Sequence, residues 1–282
     1  MRLFKNIGPL KYCLQKFRDK KYSIGFVPTM GALHAGHLSL IQQCKKECEI
    51  TVCSIFVNPA QFNDPKDFEK YPVTIENDIL FLEANKTDIL FWPSAKEIYP
   101  NGLTNLHHYD LGYLENILEG YYRPGHFQGV CNAVHCLLEI IRPDKIFLGQ
   151  KDYQQCLVLK KMMDSLFPDI SLAIVNTIRE TNGLAMSSRN MRLSEETRVR
   201  AGAIYQSLQF IKQNIFNKPG EELKQEAMKN ILTKGFDKVD YVEVCDAETL
   251  LPAPAPPENK KLIALVAAFI DGVRLIDNLL IE

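Results

Sequence analysis

The residues best suited to chemistry stand together near the amino end, in Pro28-Thr29-Met30-Gly31-Ala32-Leu33-His34-Ala35-Gly36-His37. Two histidines bracket an Ala-Gly pair where an apolar run, Tyr22 to Val27, gives way to a helix-period segment with Ile41, Cys44 and Cys48 on one face. Such a strand-to-helix turn sits at the carboxyl end of a strand, where open α/β sheets bind ligands. The helix start offers unpaired N–H groups and a partial positive charge to a phosphate. Gly31 and Gly36 let the backbone approach closely, and imidazoles supply donors where charge develops on phosphate oxygens. A lone histidine at a helix start is more often a cap or a packed ring; a pair in this setting favours a site. The chemistry implied is transfer at a phosphate, stabilised by His34, His37 and the amides near Met30 and Gly31.

The elements around that turn follow a regular alternation. Tyr22 to Val27, Ile50 to Val57, Asp88 to Trp92, Lys145 to Leu148 and Leu172 to Val175 read as buried strands. Val130, Val134, Leu137, Leu138 and Ile141 mark one helix between them, and Val158, Met162 and Leu166 another. Strands alternating with helices predict βαβ units, hence a Rossmann-like α/β domain with a parallel sheet and helices on both faces, over residues 1–180. Residues 181–282 read as a smaller α+β domain. Ser194 caps a helix to about Asn214, a second helix runs from Gly220 to about Lys234, and strands follow at Val239–Val244, Leu262–Ile270 and Val273–Ile276. Asp271-Gly272 is a short-hairpin signal, and the proline-rich stretch 251–257 reads as a loop.

Bulk properties narrow the classes. Among 282 residues, 33 Lys+Arg face 34 Asp+Glu, so no global field holds nucleic acid or an anionic membrane. The amino end lacks a signal-type apolar block, and no uncharged run reaches the roughly 18 residues of a membrane span. Eight scattered cysteines without a C-x-x-C pair read as buried free thiols in a cytoplasmic protein rather than as a zinc site. No G-x-x-x-x-G-K-[ST], no G-x-G-x-x-G after the first strand and no G-x-S-x-G elbow occur, which disfavours P-loop, dinucleotide and α/β-hydrolase chemistry.

H-x-G-H after a first strand resembles the nucleotidylyltransferase superfamily. The whole Pro28 to His37 string resembles the pantothenate synthetase (pantoate–β-alanine ligase) family in particular. So do Phe56-Val57-Asn58-Pro59-Ala60-Gln61-Phe62, Arg123-Pro124-Gly125-His126-Phe127, Gly149-Gln150-Lys151-Asp152-Tyr153-Gln154-Gln155, Met186-Ser187-Ser188-Arg189-Asn190 and Arg274-Leu275-Ile276-Asp277-Asn278. The resemblance covers nearly the whole chain. It implies ATP-driven amide formation in two steps: pantoate attacks the α-phosphate to give pantoyl adenylate and pyrophosphate, then β-alanine displaces AMP. It also implies His37 as the catalytic histidine, with His34 and Lys151 beside it. ATP is expected at Met30, Gly31, His34, His37, Gly149, Lys151, Asp152, Ile178, Met186, Ser187, Ser188 and Arg189. Pantoate and β-alanine are expected at Gln61, Gln155 and Asn58. Mg²⁺ is expected to travel with ATP rather than occupy a protein-built cage.

Each role has a physical reading and a plainer competitor. Lys151, a cation in a glycine-led loop at a strand's end, suits a phosphate clamp; most lysines are simply solvated. Asp152 can pair with Lys151, cap the next helix or help position Mg²⁺. The hydroxyls and guanidinium of Met186 to Arg189 can follow a triphosphate; otherwise the serine caps a turn. Gln61 and Gln155, neutral amides, suit a hydroxy acid whose carboxylate must stay nucleophilic, and Asn58 holds its loop or the phosphates; any of these amides can instead satisfy loop backbone. Arg123 and His126 read as architecture or dimer contact, His135 as packed, and His107-His108 as without a usable partner spacing.

Val73 and Cys136 depart from the family's usual basic character, which bears on peripheral contacts. A homodimer is expected from the family, and the C-terminal domain is expected to act as a lid over ATP. Two readings compete: another nucleotidyltransferase using a phosphorylated acceptor, and an idle nucleotide- or RNA-binding module. Neutral Gln61 and Gln155 weigh against the first, and the lack of a basic, aromatic stripe against the second.

Overall fold

The computed structural model describes residues 1–104, 106–253 and 261–281. The chain divides into two units, Met1–Gly149 with Gln155–Asn176, and Gln150–Gln154 with Thr177–Glu282.

In the first unit the apolar runs form a six-stranded parallel sheet: β1 (Arg2–Phe4), β2 (Ile24–Thr29), β3 (Ile50–Ile55), β4 (Ile89–Phe91), β5 (Lys145–Gly149) and β6 (Ser171–Val175). Their spatial order is β1-β4-β3-β2-β5-β6. Every residue of β3 and β4 is buried, as strands covered on both faces must be, and helices flank the sheet. The sheet is the Rossmann-like architecture expected. The edge strand β1 was not expected; three residues beside charged neighbours carry no readable alternation.

The strand order reverses between β2 and β5. From β2 the chain moves out through β3 and β4, and from β5 it moves the other way to β6. β2 pairs with β3 through Thr29↔Ile55, and β5 with β6 through Gly149↔Val175. Between β2 and β5, however, pairing stops at Phe26↔Ile146. The two strands part beyond that point, so a crevice opens outside their carboxyl ends, the place where open α/β sheets take ligands.

The helix after β2, Ala35–Glu47, lies close against the sheet because Gly25 has no side chain: a Cβ there would stand 2.3 Å from Cys44 Sγ and 2.9 Å from Cys48 Sγ. All eight cysteines are free, and burial pushes the thiols of Cys44, Cys53, Cys131 and Cys245 up to about 12.

The second unit carries an antiparallel sheet in the order β7 (Lys238–Asp246), β8 (Leu262–Ile270), β9 (Val273–Ile281), packed against helices Ala203–Asn214 and Gly220–Thr233. Asp271 and Gly272 join β8 to β9 with φ +48° and +70°, the two left-handed residues of a tight hairpin. Ser194 caps its helix as expected, its Oγ accepting from Thr197 N–H at 3.1 Å. The single helix predicted to Asn214 is two, Glu195–Ala201 and Ala203–Asn214, broken at Gly202, where a Cβ would stand 2.7 Å from Asn182 O. Of the proline-rich stretch 251–257, residues 254–257 lie outside the described residues. Among the described residues no helix is long and apolar enough to cross a membrane.

Candidate active site

The turn after β2 is held from below by side chains. Thr29 Oγ1 donates to Ser54 O at 2.7 Å and accepts from Gly31 N–H at 3.2 Å. Asp78, on the Ile75–Ala84 helix, accepts Ala32 N–H at Oδ2 (2.9 Å) and Leu33 N–H at Oδ1 (2.8 Å). Gly31 has φ +86°, natural for glycine, while Ala32 holds φ +48°, a left-handed conformation costing a non-glycine residue about 1 kcal/mol or more.

The two histidines then close the helix start on each other. His34 Nδ1 accepts Gly36 N–H at 3.1 Å, His37 Nδ1 accepts His34 N–H at 3.2 Å, and the rings lie 4.1 Å apart. This is a capping box built from imidazoles. An Nδ1 that accepts cannot carry a proton, so each neutral ring holds its proton on Nε2, and Nε2–H is the group able to donate to a developing negative oxygen. The Gly31 amide, expected to face a phosphate, donates to Thr29 Oγ1 in this structure.

Gln61 follows Asn58 in the loop after β3. Its Nε2 donates to Met30 Sδ at 2.9 Å and its Oε1 accepts from Asn58 Nδ2 at 3.0 Å, which brings the substrate-binding candidate to the histidine turn. Asn58 is the most enclosed of the three candidate amides. It is 1% exposed, its Nδ2 also donates to Gly129 O, and its Oδ1 accepts from Tyr99 O–H and Ala60 N–H. Its polar atoms hold the loop, one of the two roles the sequence left open for it.

Arg123 and His126 belong to the same support: His126 Nδ1 lies 2.8 Å from Gln61 O and its Nε2 3.1 Å from Arg123. Gly129 lets the His126–Ile141 helix touch this loop, since a Cβ would stand 2.1 Å from Ala60 O. A cavity of about 170 Å³ opens beside Met30, Gly31, Val57, Thr74, Asp78 and Trp92, with the exposed Val73 at its lip.

His135 packs its ring between Tyr109 and Phe167, and His107 stacks edge-on against Tyr109. Gly149 ends β5, and Gln155 lies half-buried in the Tyr153–Leu166 helix.

Lys151 and Asp152 lie in the second unit, although they precede its main chain segment and read by position as part of the first domain. Asn278 on β9 explains this. Its Nδ2 donates to Gln150 O and Lys151 O, both at 2.9 Å, and its Oδ1 accepts from Gln150 Nε2 at 3.2 Å. Lys151 Nζ stands 3.4 Å from Asp152 Oδ1, one of the three roles open to that aspartate.

Next to Asn278, Asp277 is buried and forked by Arg179; burial pushes its carboxyl up while the guanidinium pulls it down. Arg179 also bridges to Gly183 O and stacks over Tyr205. Ile178 O accepts Met186 N–H at 3.0 Å, closing a narrow turn at Gly183 that delivers Met186 to Arg189. Ser187 Oγ accepts Arg189 N–H and caps the short helix Ser188–Arg192; Ser188 itself is only 6% exposed. Among the described residues no group of three or more His, Cys, Asp or Glu could hold a metal ion.

A family model described as Pantoate-beta-alanine ligase matches residues 2–280. The chain belongs to the pantoate–β-alanine ligase family. It is 45% identical to the pantothenate synthetase of Cytophaga hutchinsonii over 98% of both chains, and 42% identical to that of Thermotoga petrophila over 99% of both. Its structure is similar to crystalline pantothenate synthetase from Thermus thermophilus, with TM-score 0.90 and 36% identity, covering 99% of each chain. It is also similar to the Francisella tularensis pantoate-beta-alanine ligase complexed with beta-gamma ATP and beta-alanine, with TM-score 0.83 and 37% identity, covering 99% of this chain and 97% of that one.

Within this pantoate–β-alanine ligase chain, Asp78, Tyr99 and Arg179 stand outside the motif strings, and Asn278 lies in one without a role having been read for it. Asp78 left one trace: an acid on the apolar stripe Ile75, Ile79, Leu82 of its helix.

Proposed function

We propose that this chain joins pantoate to β-alanine at the expense of ATP. A pantoate carboxylate oxygen attacks the α-phosphorus and pyrophosphate leaves; the β-alanine nitrogen then attacks the acyl carbon and AMP leaves. The observation that carries this reading is the pair of imidazoles at the β2/β5 switch point, both locked with the proton on Nε2. Two neutral donors beside a crevice can follow charge as it moves onto phosphate oxygens, without reorganising when the reaction occurs.

In this reading His37 and His34 stabilise the transferring phosphate, and Lys151 neutralises phosphate charge. Met30, Gly31, Gly149, Ile178, Met186, Ser187, Ser188 and Arg189 contribute to ATP binding. Gln61 and Gln155 orient pantoate through neutral hydrogen bonds that leave its carboxylate nucleophilic. Mg²⁺ enters with ATP, and Asp152 is the carboxylate on this chain assigned to its water shell. A homodimer in the cytoplasm and a C-terminal unit that shields the adenylate from water complete the reading. Sedimentation, cell fractionation and scattering with and without ATP test those three parts.

The decisive test is pyrophosphate exchange into ATP without β-alanine. Exchange that requires pantoate, and falls at least about 100-fold in His37→Ala and Lys151→Ala, is the expected result. Exchange supported by a phosphorylated acceptor but not by pantoate sinks the substrate assignment.

A further inference from the structure

Asp78 acts on the backbone that leads to the two imidazoles. It is 2% exposed, and its two oxygens receive Ala32 N–H, Leu33 N–H and, at 3.2 Å, the Thr74 hydroxyl. These are the two amides immediately before His34. Fixing them fixes the peptide planes that deliver His34 N–H to His37 Nδ1, the bond that caps the helix and sets the tautomer. The same clamp holds Ala32 in its left-handed conformation, which an alanine does not keep unaided. Room for the clamp is minimal: a Cβ on Gly31 would stand 3.0 Å from Asp78 Oδ2.

We propose that Asp78 is a positioning residue for the adenylation step: by clamping Ala32 and Leu33 it holds both histidines as Nε2–H donors aimed into the crevice. The proposal rests on the reading of function given above. A carboxylate is required because both oxygens face donors. The asparagine of equal size would turn an N–H toward a backbone N–H.

The test compares wild type with Asp78→Asn, and with Thr74→Val, which removes only the hydroxyl donor and retains the carboxylate. In Asp78→Asn, kcat of pantoate-dependent exchange is expected to fall about 10- to 100-fold with KM for ATP little changed, the signature of misplaced rather than missing groups. Nitrogen-15 NMR of His34 and His37 is expected to show acceptor-type Nδ1 in wild type and mixed tautomers in Asp78→Asn. Thr74→Val should shift both readouts the same way by less, and it decides the matter if Asp78→Asn does not fold. Full kcat per folded molecule with unchanged tautomers overturns the proposal, even where the melting temperature drops. A wild type without exchange defeats the functional reading instead, and the tautomer comparison still judges Asp78.

Discussion

The turn that carries His34 and His37 and the turn that carries Lys151 are built by different means. The histidine turn closes largely on itself: each imidazole caps the other's neighbourhood within three residues, and one carboxylate from 45 positions away holds the approach. The lysine turn draws on support from much farther along the chain. Its carbonyls are held by Asn278, 127 positions away, on a strand whose neighbour Asp277 is itself fixed by Arg179. Local closure leaves a motif that a sequence displays openly. Remote closure leaves only a lysine beside an aspartate in a glycine-led loop, whose support lies at the other end of the chain.

Breaking the remote support gives the largest effect. Asn278→Ala strips the partner from Gln150 O and Lys151 O, each a buried or half-buried carbonyl whose lost bond costs about 1–3 kcal/mol. Exchange activity is expected to drop about 100-fold through misplacement of Lys151. Steady-state kinetics with a thermal melt measures both; an Asn278→Ala enzyme with unaltered activity would show that the lysine turn holds itself.

The histidine turn is tested next through the packing beneath it. Gly25→Ala drives a methyl into Cys44 Sγ and displaces the helix that His34 caps, at about 1–3 kcal/mol for overpacking. Adding Cys44→Ala should recover part of the stability and activity, and a double-mutant cycle reads the coupling. Purely additive losses would mean that the helix does not transmit the strain.

The smallest effect serves as a control on both turns. Burial holds the His135 imidazole below its ordinary 6.5, against a raising pull from Glu139 and with a lowering push from His107. The unfolded chain therefore binds this proton more readily, so stability falls as pH drops through 6.5 toward the folded value. His135→Leu should flatten that part of the melting-temperature profile while leaving exchange activity near wild type. An unchanged profile would assign the acid sensitivity elsewhere.

The sheet was legible in the sequence because its strands are continuous apolar runs and its helices keep period. The turn after β2 was legible because strand, glycines and histidines fall within a dozen residues. What escaped had no local signature. β1 is three residues at an edge, and Gly202 splits a helix whose periodicity runs on through it. Lys151 was picked out as a phosphate clamp, but its membership of the second unit depends on Asn278, which no pattern near residue 151 announces.

The buried thiols carry a practical consequence. At about 12, Cys44, Cys53, Cys131 and Cys245 hold almost no thiolate at neutral pH, so an alkylating reagent meets them only when the surrounding structure opens. Three belong to the first unit and Cys245 to the second. A timed pulse of iodoacetamide followed by peptide mapping thus turns the native chain into a two-channel clock, recording which unit loosens first under heat or denaturant, with no engineered probe.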